Sequence, residues 1–213
     1  MPNQVPNKVR LFRITHRDNL ADILVHGICN KHHPNANPNF VSIGNNDVID
    51  KRIEHEVKII DYGNVGEYVP FYFTPASVML LNILTGYGVP KVMPEDIICM
   101  VSSVQTLSNC NNKYFFTDGQ ANTFITKHYA DLKDLDKIDW QVINSKDFTK
   151  SNLDPDRLRR YQAEFLVYSH VPLTSIEGIV VYNESCSNFV KSELEKAGEI
   201  IPVHVSKKHY FNH

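Results

Sequence analysis

Apolar residues fall in short blocks along the chain, some alternating with polar ones and others recurring at a helical period. Arg10 to Thr15 alternates and reads as a strand. Asp18 then stands where it can cap a short helix, with Leu20, Ile23 and Leu24 on its apolar face and Gly27 as its stop. Tyr68 to Phe73 is dense in aromatic and β-branched residues and reads as a strand, with Pro70 placing part of it at an edge. Pro75 to Leu84 reads as a helix ending before Gly86, and 97–104 and 113–116 as strands. Beyond Asp118, the residues Ala121, Phe124, Ile125, His128, Tyr129 and Leu132 recur at helical spacing, which predicts a helix. Arg157 to Gln162 predicts a short helix or turn before a strand over 163–168. A strand over 176–182, a helix over 185–197 closed by Gly198 and a strand over 200–205 complete the chain. Short strands mixed with helices, without regular βαβ alternation, predict an α+β fold rather than a doubly wound parallel sheet.

The Pro- and Asn-rich stretches at 1–7 and 30–39 read as a loose terminus and a surface loop. No linker or repeat divides the 213 residues, so one domain over 1–213 is expected. With 22 basic against 24 acidic side chains, the net charge of -2 supplies no general attraction to DNA or membranes. A nucleic-acid partner would need a local basic groove. Four dispersed cysteines, no basic-then-apolar leader and no apolar run near the roughly 20 residues that span a bilayer fit a reduced, cytoplasmic protein away from membranes. The cluster Cys29-Asn30-Lys31-His32-His33 hints at zinc, but no second ligand pair stands at a metal-site spacing, so a loop without metal is expected. Neither a dinucleotide-binding G-x-G-x-x-G nor a Walker A sequence is present, so any NAD⁺ would lie outside a Rossmann crevice.

Glu164 is the one charge in the run Gln162-Ala163-Glu164-Phe165-Leu166-Val167-Tyr168. Alone, it reads either as a strand-end acid in water or as a carboxylate held on a rigid strand at a cleft. Arg52 reads by itself as a solvated helix or turn residue, His16 as a cap or surface histidine, and Ser77 as a helix cap. Residue patterns alone stop at an α+β domain with a candidate carboxylate site.

Four blocks resemble the DarT family of DNA ADP-ribosyltransferases, toxins of bacterial toxin–antitoxin and phage-defence systems. They are Arg13-Ile14-Thr15-His16-Arg17-Asp18-Asn19-Leu20 with the following Ile23-Leu24 and Gly27-Ile28, then Asp50-Lys51-Arg52, then Tyr68 to Pro75 running on through Ser77, Met79 and Leu80. The fourth runs from Phe116-Thr117-Asp118-Gly119 through Leu135 to Trp140 and the Arg-rich 157–160 to Gln162-Ala163-Glu164. The blocks keep the family's order over nearly the whole chain. Val78 and Gln120 depart from it, where the family commonly has Pro and often has His.

The resemblance implies an ADP-ribosyltransferase fold, two small, mostly antiparallel sheets packed across an NAD⁺ cleft. It implies transfer of ADP-ribose from NAD⁺ to a thymine base in single-stranded DNA, and a macrodomain antitoxin of the DarG type that removes the mark. Glu164 would hold the ribose 2′-OH and face the developing oxocarbenium ion. Arg52 would be the second catalytic residue, stabilising the base anion or orienting phosphates, because a guanidinium is a poor general base. His16 and Asn19 would hold the adenosine side of NAD⁺, and Tyr72, Phe73 and Ser77 would line the nicotinamide pocket. The segment 146–161, with Phe148, Lys150, Arg157, Arg159, Arg160 and Tyr161, would receive the nucleic acid, since cations among aromatics suit a flexible single strand. Its alternative is a solvated turn in which Asp147, Asp154 and Asp156 offset the arginines. Guanine or RNA as acceptor, and a catalytically silent NAD⁺ or ADP-ribose binding module, remain the rival functions.

Overall fold

The computed structural model describes residues 4–149 and 151–211. Among them the strands are β1 (Arg10–His16), β2 (Ile28–Cys29), β3 (Tyr68–Tyr72), β4 (Ile97–Ser103), β5 (Tyr114–Thr117), β6 (His128–Tyr129), β7 (Glu164–Tyr168), β8 (His170–Val171), β9 (Gly178–Val181) and β10 (Val203–Val205). The helices are α1 (Leu20–His26), α2 (Asn46–Ile53), α3 (Val78–Thr85), α4 (Val104–Ser108), α5 (Trp140–Ser145), α6 (Arg157–Tyr161) and α7 (Glu184–Ala197). One sheet runs β10-β9-β4-β1-β3-β7-β5-β6, and β2 pairs with β8 in a separate ribbon. β9 and β10 run parallel, with α7 as their crossover, and the other described pairs in the sheet are antiparallel.

Local chemistry sets several boundaries. Ser77 accepts the Leu80 N–H at 3.1 Å to start α3, and Gly86 ends it in the left-handed region that glycine adopts without strain. Every position of β4 is buried, as a central strand covered on both faces requires. On one face Leu20, Ile23 and Leu24 of α1 and Val190 and Leu194 of α7 pack on Leu11, Phe71 and Phe165. On the other, Leu80, Ile83 and Leu84 of α3 meet Phe12, Ile97 and Tyr210.

The sheet is divided near its middle. β1 follows β4 through a continuous ladder from Arg10↔Ser103 to His16↔Ile97, and β3 follows β7 from Tyr68↔Tyr168 to Tyr72↔Glu164. β1 and β3 share the single registered pair Phe12↔Tyr72. The two small sheets expected from the sequence are therefore two four-stranded halves joined at one pair, with the cleft opening beside it. Pro70 lies in the interior of the strand order rather than at an outer edge, where β3 has parted from β1 and a missing N–H breaks no ladder bond. Its carbonyl accepts from Arg13 Nη1 at 3.0 Å.

Three local expectations are corrected. The helix over 121–132 is instead a series of turns, the short β6 and a 3-10 segment over Leu132–Lys137. Phe124 and Ile125, which created the helical period, are exposed, and long-range bonds such as Ala121 N–H to Glu164 fix the segment. Asp18 does not cap α1: it lies in a 3-10 turn whose cap is His16, which accepts the Asp18 N–H at 3.3 Å. The last strand is shorter than expected, because pairing with β9 begins only at Val203.

Candidate active site

Glu164 begins β7, opposite Tyr72 on β3, and its backbone N–H donates to Thr117 Oγ1 at 3.0 Å. The residue is 1% exposed and both carboxylate oxygens are held. Oε1 accepts the Ala121 N–H at 3.0 Å, and Oε2 accepts from Arg52 Nη2 at 2.8 Å. Arg52 comes from the last turn of α2, a helix started by Asn45, which accepts the Val48 N–H at 3.1 Å. A glycine sets how close that turn can come. A Cβ on Gly66 would stand 2.7 Å from the Ile53 Cα and 3.0 Å from the Arg52 carbonyl carbon, so only glycine admits α2 at this depth.

These residues floor a cleft of about 760 Å³, the size of a small-molecule site. Arg13 and Thr15 reach it from β1, Tyr72 from β3, Met79 and Asn82 from α3, and Gln120 and Gln162 from either side of the acid. The 30–49 stretch forms its outer wall through Asn30, Pro38, Phe40 and Ile43. The expected loop over 30–39 is thus part of the site. His33 of this loop stacks on His170, ring centroids 5.1 Å apart.

Two guanidinium groups and one carboxylate share the floor. Burial works against the Arg52 charge, yet the Glu164 carboxylate, by charge and hydrogen bond, holds its pKa above the ordinary value. Burial brings Arg13 down to about 10, and the neighbouring Arg52 adds to that. Arg13 has no acid partner among the described residues. Burial first and the Glu164 charge second push the Tyr72 phenol up, so it stays a neutral donor.

Of the residues expected from the sequence, Glu164, Arg52 and Tyr72 meet in the cleft. Phe73 does not: the alternation of β3 turns it to the opposite face, where it packs edge-on to Trp140 at 5.4 Å. Ser77 is buried as the cap of α3, and His16 caps the turn before α1. Asn19 is also buried and acts at one remove. Its amide donates to Thr15 Oγ1 and Val41 O, both at 2.9 Å, and accepts the Val41 N–H at 2.8 Å, which ties the cleft's outer loop to β1.

The expected nucleic-acid residues that are described all have partners within the fold. Tyr161 is 1% exposed, donates to Ala76 O at 2.7 Å and packs on Phe148, so it offers no face to a base. Arg157 pairs with Asp147 and Asp154. Arg159 pairs with Asp156 and Asp118, and Arg160 with Asp139, Asp154 and Asp156. Lys150 lies outside the described residues. The residues that sequence reasoning passed over are Arg13, Thr15, Ala121 and the 40–49 wall. Arg13 and Thr15 carried a readable signal, since positions two apart on a strand share a face.

Known proteins share both this sequence pattern and this architecture. Residues 12–211 match the family model described as DarT, ssDNA thymidine ADP-ribosyltransferase. A DNA ADP-ribosyl transferase of Escherichia coli O127:H6 is 37% identical over 209 residues, covering 97% of this chain and 95% of that protein. One from Thermus sp. (strain 2.9) is 32% identical over 200 residues, covering 93% of each. Among solved structures, Thermus sp. 2.9 DarT in complex with ADP-ribosylated ssDNA superposes with a TM-score of 0.90 at 28% identity, covering 99% of this chain and 100% of that one. The same Thermus protein in complex with NAD⁺ gives 0.85 at 29% identity, over 97% and 100% of the two chains.

Proposed function

The chain belongs to the DarT family of single-stranded-DNA thymidine ADP-ribosyltransferases, and from that premise we propose that it moves one ADP-ribose from NAD⁺ to a thymine base and releases nicotinamide. The observation that carries this reading is the buried Glu164–Arg52 pair, 2.8 Å apart on the cleft floor. Transfer breaks the bond between the ribose C1 and the nicotinamide nitrogen, whose electron pair leaves with nicotinamide. A ring nitrogen of the base forms the new bond to C1, and its proton passes to solvent. Glu164, held from two sides, accepts the ribose 2′-OH and places its charge beside the developing cation. Arg52 remains protonated throughout and offers its fork to the base as the ring nitrogen gathers charge.

The cleft suits NAD⁺. Arg13, a half-buried guanidinium with no acid partner among the described residues, would meet the diphosphate, and Tyr72 would stack beside nicotinamide. Asn19 and His16 would serve the adenosine side by shaping β1 and the loop it tethers. The acceptor strand would enter over the 119–127 loop, which carries Ala121. There the exposed Phe124 ring has the Lys58 ammonium 5.3 Å from its centroid, a cation and aromatic side by side. By family resemblance the chain is the toxin of a pair whose macrodomain antitoxin, of the DarG type, removes the mark.

The test is incubation with NAD⁺ and a panel of thymine-containing and thymine-free DNA and RNA oligonucleotides, with nicotinamide and oligonucleotide mass as readouts. Nicotinamide release and an ADP-ribose adduct confined to thymine DNA are expected. Glu164→Gln should lower turnover by about 10²–10³ or more at little cost in NAD⁺ affinity. An adduct on guanine or RNA would change the acceptor, and no nicotinamide release with any oligonucleotide would leave a silent binding module.

A further inference from the structure

We propose that His128, which lies outside the cleft lining, is a positioning residue for this reaction: its ring fixes Ala121, and Ala121 in turn aims the carboxylate of Glu164. The inference rests on the role of Glu164 stated above. Glu164 Oε1 takes its hydrogen bond from the Ala121 N–H at 3.0 Å. Ala121 has only a methyl side chain, so its orientation depends on what holds its backbone. Its carbonyl lies 3.1 Å from His128 Nε2. The carbonyl and the N–H flank the same Cα, so fixing one limits where the other can point.

The protein also dictates which way that contact runs. His128 Nδ1 faces a backbone donor, the Lys58 N–H, at 3.0 Å. A donor there requires a lone pair on Nδ1, which leaves the ring proton on Nε2, directed at the Ala121 carbonyl. An imidazolium would set two N–H groups against each other at Lys58. Burial against Phe115, with ring centroids 5.1 Å apart, holds the ring neutral by bringing its pKa to about 4. The loop around Ala121 is tied elsewhere too. Lys58 Nζ donates to Thr126 O at 2.8 Å and also to Phe124 O, and the Gln120 N–H donates to Arg159 O at 3.0 Å. His128 is the side chain that holds the Ala121 carbonyl. Without it, the carbonyl side of residue 121 loses its anchor, and the N–H that Glu164 accepts is held only through the preceding turn, where the Thr123 N–H donates to Gln120 O at 3.1 Å. A displacement of about 1 Å in a reacting group can cost roughly 10² in rate.

Two substitutions separate the two ring nitrogens. His128→Gln keeps an N–H donor near the Nε2 position, whereas His128→Asn keeps an acceptor near Nδ1 for Lys58 but no donor for Ala121. Turnover, KM for NAD⁺ and thermal midpoint are measured for both beside the wild type and Glu164→Gln. We expect His128→Gln to keep kcat within about threefold of wild type, and His128→Asn to lose about tenfold or more in kcat. KM for NAD⁺ should stay within about twofold in both, because the ring touches no substrate. Wild-type kcat in His128→Asn, or kcat losses in both variants that simply track thermal stability, would overturn the proposal. If either variant does not fold, nitrogen NMR of histidine-labelled wild type decides. A neutral ring protonated on Nε2 from about pH 5 to 8 is expected, and the other tautomer or an imidazolium near pH 6 overturns it. Absence of nicotinamide release by the wild type would sink the transferase reading itself, and the NMR result would stand apart from it.

Discussion

An ion pair as enclosed as Arg52 and Glu164 adds little net stability, because stripping both charges of water costs nearly as much as their attraction recovers. Breaking it is another matter. Glu164→Ala leaves a guanidinium buried without its partner and should destabilise the fold by about 3–5 kcal/mol, whereas Glu164→Gln, which can still accept from Ala121, should cost less. Urea unfolding of the two variants checks this, and equal stability of Glu164→Ala and wild type would mean that the pair is solvated. His128 gives a second expectation, in pH. The unfolded ring takes up its proton near the ordinary 6.5 and the folded ring only near 4, so the unfolded state binds more protons between these values. Stability should therefore fall as pH drops from about 6.5 to 4, and this contribution is lost below that. Lys58, His55 and Asp118 surround the ring, and His55 is itself held low, chiefly by burial, so it acts in the same direction. Unfolding midpoints across that window should slope less in His128→Gln than in wild type. At this scale Glu164 was legible as a candidate carboxylate from its apolar run, and Arg52 only through the family's motifs. Nothing in the spacing of Arg52 distinguishes it from a solvated residue, and its partner lies 112 positions away.

Elements with local punctuation were legible, and those held by distant contacts were not. Ser77 and Gly86 bound α3, and Gly198 ends α7, because caps and left-handed turns are written in adjacent residues. The 121–132 stretch misled because its apolar residues serve different surfaces, with Ala121 inside and Phe124 outside. α2 was silent because it buries no residue at all, although it carries Arg52. Its placement depends on the close approach at Gly66. Gly66→Ala puts a methyl group 2.7 Å from the Ile53 Cα, backbone that cannot swing aside, so α2 must shift outward. The expected outcome is a loss of about 1–3 kcal/mol in stability and a larger proportional loss of turnover, as Arg52 leaves Glu164. Calorimetry together with the nicotinamide assay checks it. Turnover unchanged in a destabilised Gly66→Ala would show that the depth of α2 does not matter to the chemistry.

For the molecule as a whole, the net charge is -2 and the arginine cluster at 157, 159 and 160 is engaged with its own aspartates. Asp147, Asp154 and Asp156 are readable as partners of these arginines from the sequence, whereas Asp118 and Asp139, which also engage Arg159 and Arg160, lie 41 and 21 positions away. Phe124→Ala is therefore expected to weaken oligonucleotide binding by about 1–3 kcal/mol, the share of one stacked base, with the salt slope unchanged. Arg160→Ala should lower thermal stability and leave that slope alone, whereas removing a cation that neutralises a phosphate would flatten it by about 0.7. A flatter slope in Arg160→Ala would return the strand to 157–161. The divided sheet has a consequence for how the molecule breathes. Amides inside the β1–β4 and β3–β7 ladders should exchange with deuterium slowly, in two separate cooperative blocks, because one residue pair is too narrow a seam to transmit protection between them. A ligand that touches Arg13 on one side and Glu164 on the other acts as a clasp across that seam. Adding NAD⁺ should therefore slow exchange on the cleft-facing edges of β1 and β3 together, and a gain confined to one block would mean that the dinucleotide does not span the opening.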